Sequence, residues 1–476
     1  MQKINTFKQI RKEINIPLRS ITSFKKFSNN TNTLSGEDIV KSCRKHTIFS
    51  WSAQGKIDPI PMTKAKGCYF WDANGKKYFD MNSQLMCVNV GHGHPKVIQA
   101  IKDQAEELAF AGPAFATKIR AEVGPMLAKH TPGDLDKFFF TLGGAEAIEN
   151  AVKFAKFTTG RHKIITRNRA YHGSTHYAIM LTGDNRRWPN EVGAVGGIIR
   201  TLDPYSYRSQ LFEEGMTDEQ FTEKLLINLE ELLMFENPES IAAICLETIT
   251  GTNGIIIPPK GYLPGIRKIC DKYGIMMICD EVMAGWGRTG KWYACHHENI
   301  VPDILTMAKG LTSAYIPLGA VAVSDKILNK YQDVPFKSGL TYQAHPMGLA
   351  CVKAVTNIME EEKLCENSAN MGEILKEIHR DLYKKHPCIG EVRSIGLFGA
   401  IELVKNRKTK EPMSPYGNTS EPMIKFSNFI RENGLWAFVN SHIIHNQPPL
   451  CVTEKELRES MAIIDKGLDI VDQYVI

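Results

Sequence analysis

The sequence predicts an α/β protein, with a mostly parallel sheet in a large domain and a smaller α+β domain beside it. Three observations carry that reading. SIAAICLE (240–247) and YGIMMICDE (273–281) are apolar runs of strand length without polar alternation, the mark of strands covered on both faces. Amphipathic helical stretches alternate with such runs from about residue 96 onward, as in parallel sheets joined by crossover helices. The chain has 476 residues, 43% hydrophobic and 23% charged, enough for a large globular core.

The elements follow in order. GCYFWDANGKKYFDMNSQLM reads as a hairpin turning at Asp72–Gly75. PKVIQAIKDQAEELA is a helix, KFFFTLGG a strand and glycine turn, and AEAIENAVKFAKF a helix with Ile148, Ala151, Val152 and Ala155 on one face. KIITRN (163–168) is a strand. The stretch 217–235 is a helix capped by Thr217, with Gln220 three residues on. Strands SIAAICLE, IMMICDE, ILTMA and LGAVAVS (318–324) follow, with a helix in GYLPGIRKICDKYG. A helix-rich tail with one strand, GLFGAIEL (396–403), completes the chain. The division is residues 1–35 as a leader, 36–95 as a segment contributing to the small domain, 96–335 as the large domain and 336–476 as the C-terminal small domain.

The formal net charge is +6, and residues 1–35 account for all of it, with seven basic residues against Glu13. The remainder is balanced, which excludes a basic nucleic-acid binder. The leader mixes Ile, Phe and Leu with Lys and Arg and then becomes rich in Ser, Asn and Thr, the composition of a mitochondrial transit peptide. The expected location is the mitochondrial matrix, with the cytoplasm as the alternative. No apolar run approaches the ~18 residues that span a bilayer, so no membrane is expected. The eleven cysteines are scattered without CxxC spacing, which favours a reducing compartment and neither a disulfide framework nor a metal site.

In open α/β sheets, ligands bind beyond the carboxyl ends of the strands. Those ends present, in order, Gly143–Ala145 opening a helix, Tyr171 and His172 in a turn, Glu247, Asp280 with Glu281, and Lys309. Each has a plain explanation as a packing glycine, a rim aromatic, a helix cap or a snorkelling lysine. Together they describe a site for a phosphorylated, aromatic, basic-nitrogen carbonyl cofactor, pyridoxal phosphate: a lysine for the carbonyl, a carboxylate for the ring nitrogen, an aromatic for the ring and a helix N-terminus for the phosphate.

GGAEAIENAVKFAK, YHGST, CDEVMAGWGRTG, TMAKGLTSAYIPLGAV and TYQAHP, in that order over roughly residues 50–470, resemble the class III pyridoxal-phosphate aminotransferases. The resemblance implies fold type I and a homodimer whose active sites are shared between subunits. It makes Lys309 the Schiff-base lysine and Asp280 the partner of the ring nitrogen, the two catalytic residues. Val282 and Tyr171 correspond to the groups on either ring face, Gly144 and Ala145 to the phosphate-binding backbone, and Glu247 to an acid near the ring edge. Thr341 corresponds to the threonine that reaches the neighbouring subunit's phosphate. Gly310 is expected to leave space beside the cofactor.

The substrates implied are an amino donor and an oxo-acid acceptor. Arg393 corresponds to the arginine that clamps a substrate carboxylate. The GABA and ornithine enzymes mask that arginine with a glutamate, where this chain has Thr252. They carry an arginine after YHG, where it has Ser174, and a glutamine where it has Met283. These changes remove anchors for a dicarboxylate and suggest an ω-amino-acid:pyruvate aminotransferase acting on β-alanine, taurine or GABA. Trp51, in SWSAQG, is the second substrate-binding candidate, with a core or interface role as its alternative; Trp286 is read as packing. The 2-oxoglutarate-dependent 4-aminobutyrate type is the near alternative. An aminomutase, a decarboxylase and an inactive scaffold are more remote.

Overall fold

A computed structural model describes residues 34–191 and 196–476. The expected leader therefore lies outside the described residues, apart from its last two. The chain forms two units that divide between Pro61 and Met62. The described part of the first contains one helix, Gly36–His46, whose N-cap Ser35 accepts from the amide of Asp38 at 3.1 Å.

The larger unit, Met62–Ile476, contains the expected domain boundaries at 95/96 and 335/336. Its centre is a seven-stranded sheet in the order Lys137–Thr141, Gly319–Val323, Ile304–Met307, Met276–Asp280, Ile241–Glu247, Lys163–Arg167 and Ile198–Thr201. The last five of these pair in parallel. Gly319–Val323 runs antiparallel to both neighbours. The connection that carries Lys309 allows this: a parallel return needs a crossover of a dozen or more residues, usually helical, and here the link between Met307 and Gly319 holds a 3-10 turn, Lys309–Leu311, and no crossover helix.

The expected helices form where their sequence signals lie. Gly144–Thr159 buries Ile148, Ala151, Val152 and Ala155 against one sheet face, and burial of Ile148 or Val152 contributes about 2 kcal/mol each. Asp218–Glu236 starts at a reciprocal capping box of Thr217 and Gln220. The hairpin pairs Tyr69–Asp72 with Lys77–Asp80 and turns through Gly75 at φ +82°. Two further features went unread in the sequence. Leu435–Trp436 adds in parallel to Lys77–Asp80. The tail also holds a sheet in which the expected strand, Phe398–Asn406, pairs with two unread ones, Ile389–Ile395 and Ile443–Asn446. No described helix is long and apolar enough to cross a membrane, and all eleven cysteines are free.

Candidate active site

Register places the chemistry. Glu247 pairs with Asp280, and Asp280 with Thr306, so three parallel strands end in one row at the carboxyl edge of the sheet. Lys309 follows the third strand by two residues. Its backbone adopts φ +46°, a left-handed conformation that costs a side-chain-bearing residue about 1 kcal/mol or more and concentrates at functional sites. The lysine keeps part of its surface open to the cleft. Burial nevertheless pushes its amine pKa down, and the attraction of Cys87, Asp280 and Glu247 only partly opposes that shift.

Asp280 is buried. Its Oδ2 lies 2.8 Å from His172 Nδ1, and its Oδ1 accepts from the Val282 amide at 3.0 Å. Glu247 accepts from the amides of Tyr171, at 3.0 Å, and Gly251, at 2.7 Å. Burial still pushes its carboxyl pKa up. The next acid, Glu281, is fully buried and accepts from Ala294 N, Cys295 N and Thr248 Oγ1. Burial raises its pKa to about 7. Its partners make it a pin for the following loop.

The glycine turn converges on the same place. A Cβ on Gly144 would come within 2.9 Å of Val282 Cγ1, and one on Gly173 within 2.5 Å of the Ala145 Cβ. The glycine turn thus packs closely both on Val282 and on the Tyr171–Gly173 turn. Gly143, the N-cap, provides no side-chain cap, which leaves the first amides of a 16-residue helix for an anion. An amine whose pKa is lowered, a buried carboxylate held by an imidazole, an aromatic and an anion-binding helix terminus fit pyridoxal phosphate.

The remaining candidates are placed differently. Arg393 is partly buried, its side chain 8% exposed, and already engaged: Nε donates to Gly254 O at 2.9 Å and Nη1 to Tyr205 Oη at 2.8 Å and to Glu391. Its Nη2 lies 2.9 Å from Glu402 Oε2, as an ion pair rather than an aligned hydrogen bond. The acids that neutralise Arg393 are therefore Glu391 and Glu402, from its own antiparallel sheet. Thr341 is exposed. Trp51 belongs to the first unit and is exposed, at φ +54°. Trp286 is buried, as expected of a packing residue. At Gly310 a Cβ would stand 2.5 Å from both Asn89 Nδ2 and Trp286 Cβ, so the missing side chain makes room for these two residues.

Sequence reasoning missed Arg186. This residue stands on a short 3-10 turn, Asn185–Asn190, rather than at a strand end. Its guanidinium carbon lies 3.8 Å from the centre of the Tyr171 ring. The local signal, DNRRWP, has no spacing that marks it.

The Aminotransferase class-III profile matches residues 51–468, and the chain belongs to that family of pyridoxal-phosphate-dependent transaminases. Among its relatives, the putrescine–pyruvate aminotransferase of Pseudomonas aeruginosa is 34% identical over 86% of this chain and 90% of its own length. The taurine–pyruvate aminotransferase of Bilophila wadsworthia is 30% identical over 92% and 98% respectively. A taurine:2-oxoglutarate aminotransferase from Bifidobacterium kashiwanohense, solved with pyridoxal phosphate and glutamate, superposes with a TM-score of 0.90 at 41% identity, covering 93% of this chain and 99% of that one.

Proposed function

We propose that the protein moves an amino group from an ω-amino acid of the β-alanine, taurine or GABA type to an oxo acid, with pyruvate as the acceptor. The observation that carries the chemistry is the row Glu247–Asp280–Thr306 with Lys309 beside it. The relatives named above supply the donor class. The acceptor reading rests on the neutral side chains of Ser174, Thr252 and Met283. 2-Oxoglutarate is the second reading, favoured by the solved relative that uses it.

Pyridoxal phosphate, when bound, supplies an electron sink for the carbon that loses a proton. The chain's residues do the rest. Lys309, whose burial favours the uncharged amine, would take the proton from the carbon bearing the donor nitrogen and return it to the cofactor carbon on the other side of that nitrogen, acting as base and then acid on one face. Asp280 is the carboxylate for the ring nitrogen, and His172 positions it. Gly144 and Ala145 would offer backbone amides to the phosphate, and Tyr171 and Val282 would flank the ring. Glu247 holds the Tyr171 and Gly251 amides in place. Arg393 is the candidate for the oxo acid's carboxylate, with Glu391 and Glu402 neutralising it while a donor without an α-carboxylate is bound. Trp51 is kept as a substrate-pocket candidate. Thr341, exposed in a single chain, is proposed to serve the phosphate site of a second subunit in a homodimer. The basic leader is read as targeting to the mitochondrial matrix.

The test is a matrix of β-alanine, taurine, GABA and n-propylamine against pyruvate and 2-oxoglutarate with purified enzyme. Turnover of an ω-amino acid with pyruvate is expected. Turnover with 2-oxoglutarate alone replaces the acceptor, and absence of turnover with every ω-amino acid refutes the donor class. A fusion of residues 1–35 to a fluorescent protein that stays diffuse in the cytosol removes the targeting proposal.

A further inference from the structure

We propose that Cys68 and Cys451 form a reversible disulfide that latches the N-terminal hairpin to the C-terminal part of the chain. Of the eleven free cysteines, these two stand face to face, Sγ to Sγ at 3.8 Å across 383 residues of sequence. Cys68 lies in the turn between the strands Met62–Lys66 and Tyr69–Asp72 and is 3% exposed. Cys451 lies between the strand Ile443–Asn446 and the helix Glu454–Asp472, and it keeps part of its surface open to solvent. Its sulfur occupies room left by a glycine: a Cβ on Gly91 would stand 2.8 Å from Cys451 Sγ.

The backbone on each side of the pair is held in place. Gly67 and His92 exchange two hydrogen bonds, both at 2.9 Å, and Cys68 O accepts from Asp80 N at 2.8 Å. On the other side, Leu450 N donates to Asn89 O and Gln447 N to Met81 O, each at 2.8 Å. Asn367 Nδ2 donates to the carbonyls of Leu450 and Val452, which flank Cys451. The thiols are thus positioned in advance, and an approach of roughly 1.8 Å brings the sulfurs to bonding distance.

The oxidant is a low-molecular-weight disulfide, such as glutathione disulfide. Cys451 is the attacking member because it is the one open to solvent. The hydrogen bond from Cys68 also pulls its thiol below the ordinary value, which favours the thiolate. That thiolate bonds one glutathione sulfur and expels the other as a thiolate. Cys68 then gives up its proton, bonds the Cys451 sulfur and expels the second glutathione. The two protein thiols lose two electrons and two protons, and two glutathione thiols carry them away. An excess of thiol reverses both steps, so a reducing compartment keeps the latch open.

The bond would enclose residues 81–91 between its anchors. This segment supports the turn that carries Lys309. Asn89 Nδ2 donates to Trp286 O at 2.7 Å, and Val90 N donates at 3.0 Å to Oγ of Ser313, four residues after Lys309. The thiol balance around the enzyme therefore sets how firmly that support is held.

The experiment treats wild-type holoenzyme with glutathione disulfide or with dithiothreitol. Samples are quenched in acid, alkylated under denaturing conditions and digested without reduction. The expected product of oxidation is a peptide joining Cys68 to Cys451, absent after dithiothreitol. The thermal unfolding midpoint, at one scan rate, should rise by about 4 °C on oxidation, the scale for a crosslink closing a long loop in a chain of this size. Dithiothreitol should reverse the rise. Cys68→Ser and Cys451→Ser should each lose both the joined peptide and the rise, while their reduced forms melt near reduced wild type. Glutathione left on Cys451 with Cys68 alkylated overturns the proposal, as does a joined peptide with no change in midpoint. A rise that persists in Cys68→Ser belongs to other cysteines and also overturns it. The wild-type comparison before and after dithiothreitol decides the matter even where a serine variant fails to fold.

Discussion

Nδ1 of His172 lies 2.8 Å from Oδ2 of Asp280, and both groups are buried. The imidazole's other nitrogen faces Thr166 Oγ1 at 3.3 Å, so the carboxylate is held from behind by a ring that is itself fixed. Asp280→Asn removes the negative charge and keeps the shape. We expect kcat to fall about 100-fold or more, the scale of losing one preorganised electrostatic contact, with near-native thermal stability. Steady-state kinetics beside a melting curve check this. Undiminished kcat sinks the assignment.

Burial lowers the pKa of Lys309, so more of its amine is uncharged at a given pH than for an ordinary lysine. In cofactor-free protein at pH 8, an acylating reagent small enough to enter the cleft should therefore modify Lys309 faster than exposed lysines. Pyridoxal phosphate should protect it. Peptide mapping reads the order of modification, and a Lys309 slower than the surface average contradicts the prediction. Lys309→Ala should lose turnover by about 10²–10⁴-fold, the range for a positioned acid–base group.

Glu281 sets a pH dependence of stability. Its folded pKa, about 7, stands above the ordinary value of 4.5. The folded state therefore binds the proton more tightly, and the group's contribution is complete below about pH 4.5 and is lost as pH rises toward 7. On an order-of-magnitude scale the loss is about 3 kcal/mol. Urea unfolding at pH 5 and pH 8 should show the wild type losing more stability than Glu281→Gln across that interval. Parallel behaviour of the two proteins refutes the prediction.

Gly319 touches the phosphate turn from the neighbouring strand. A Cβ there would stand 2.6 Å from both Gly143 O and Thr141 Oγ1, and the first of these is backbone. Gly319→Ala should therefore displace the turn, at about 1–3 kcal/mol for overpacking. Weakened retention of pyridoxal phosphate on dialysis is the expected measurement, and unchanged retention rejects it.

Much of this arrangement was legible in the sequence because strand ends inherit their position from the strands. Apolar runs mark the strands; Glu247 and Asp280 close theirs and Lys309 follows its own by two residues. What stayed hidden depends on contacts between distant segments. The reversal of Gly319–Val323 follows from the length of a connection, which apolar periodicity does not report. Gly310 faces Asn89, more than two hundred residues away in sequence. The acids that neutralise Arg393 come from its own sheet, two and nine residues along, and only the pairing of Ile389–Ile395 with Phe398–Asn406 brings Glu402 across to it. Arg186 lies on an irregular turn where no periodicity applies.

The turn Gly251–Gly254 meets four of the side chains around the cleft. Gly251 is tied to Glu247, Thr252 to Arg186 and Gly254 to Arg393, and a Cβ on Gly251 would strike Met283 Sδ at 2.1 Å. The appetite of this catalyst is therefore inherited as a unit. A lineage that alters those four residues retunes both ends of the pocket in one step, while the strands that perform the chemistry stay as they are.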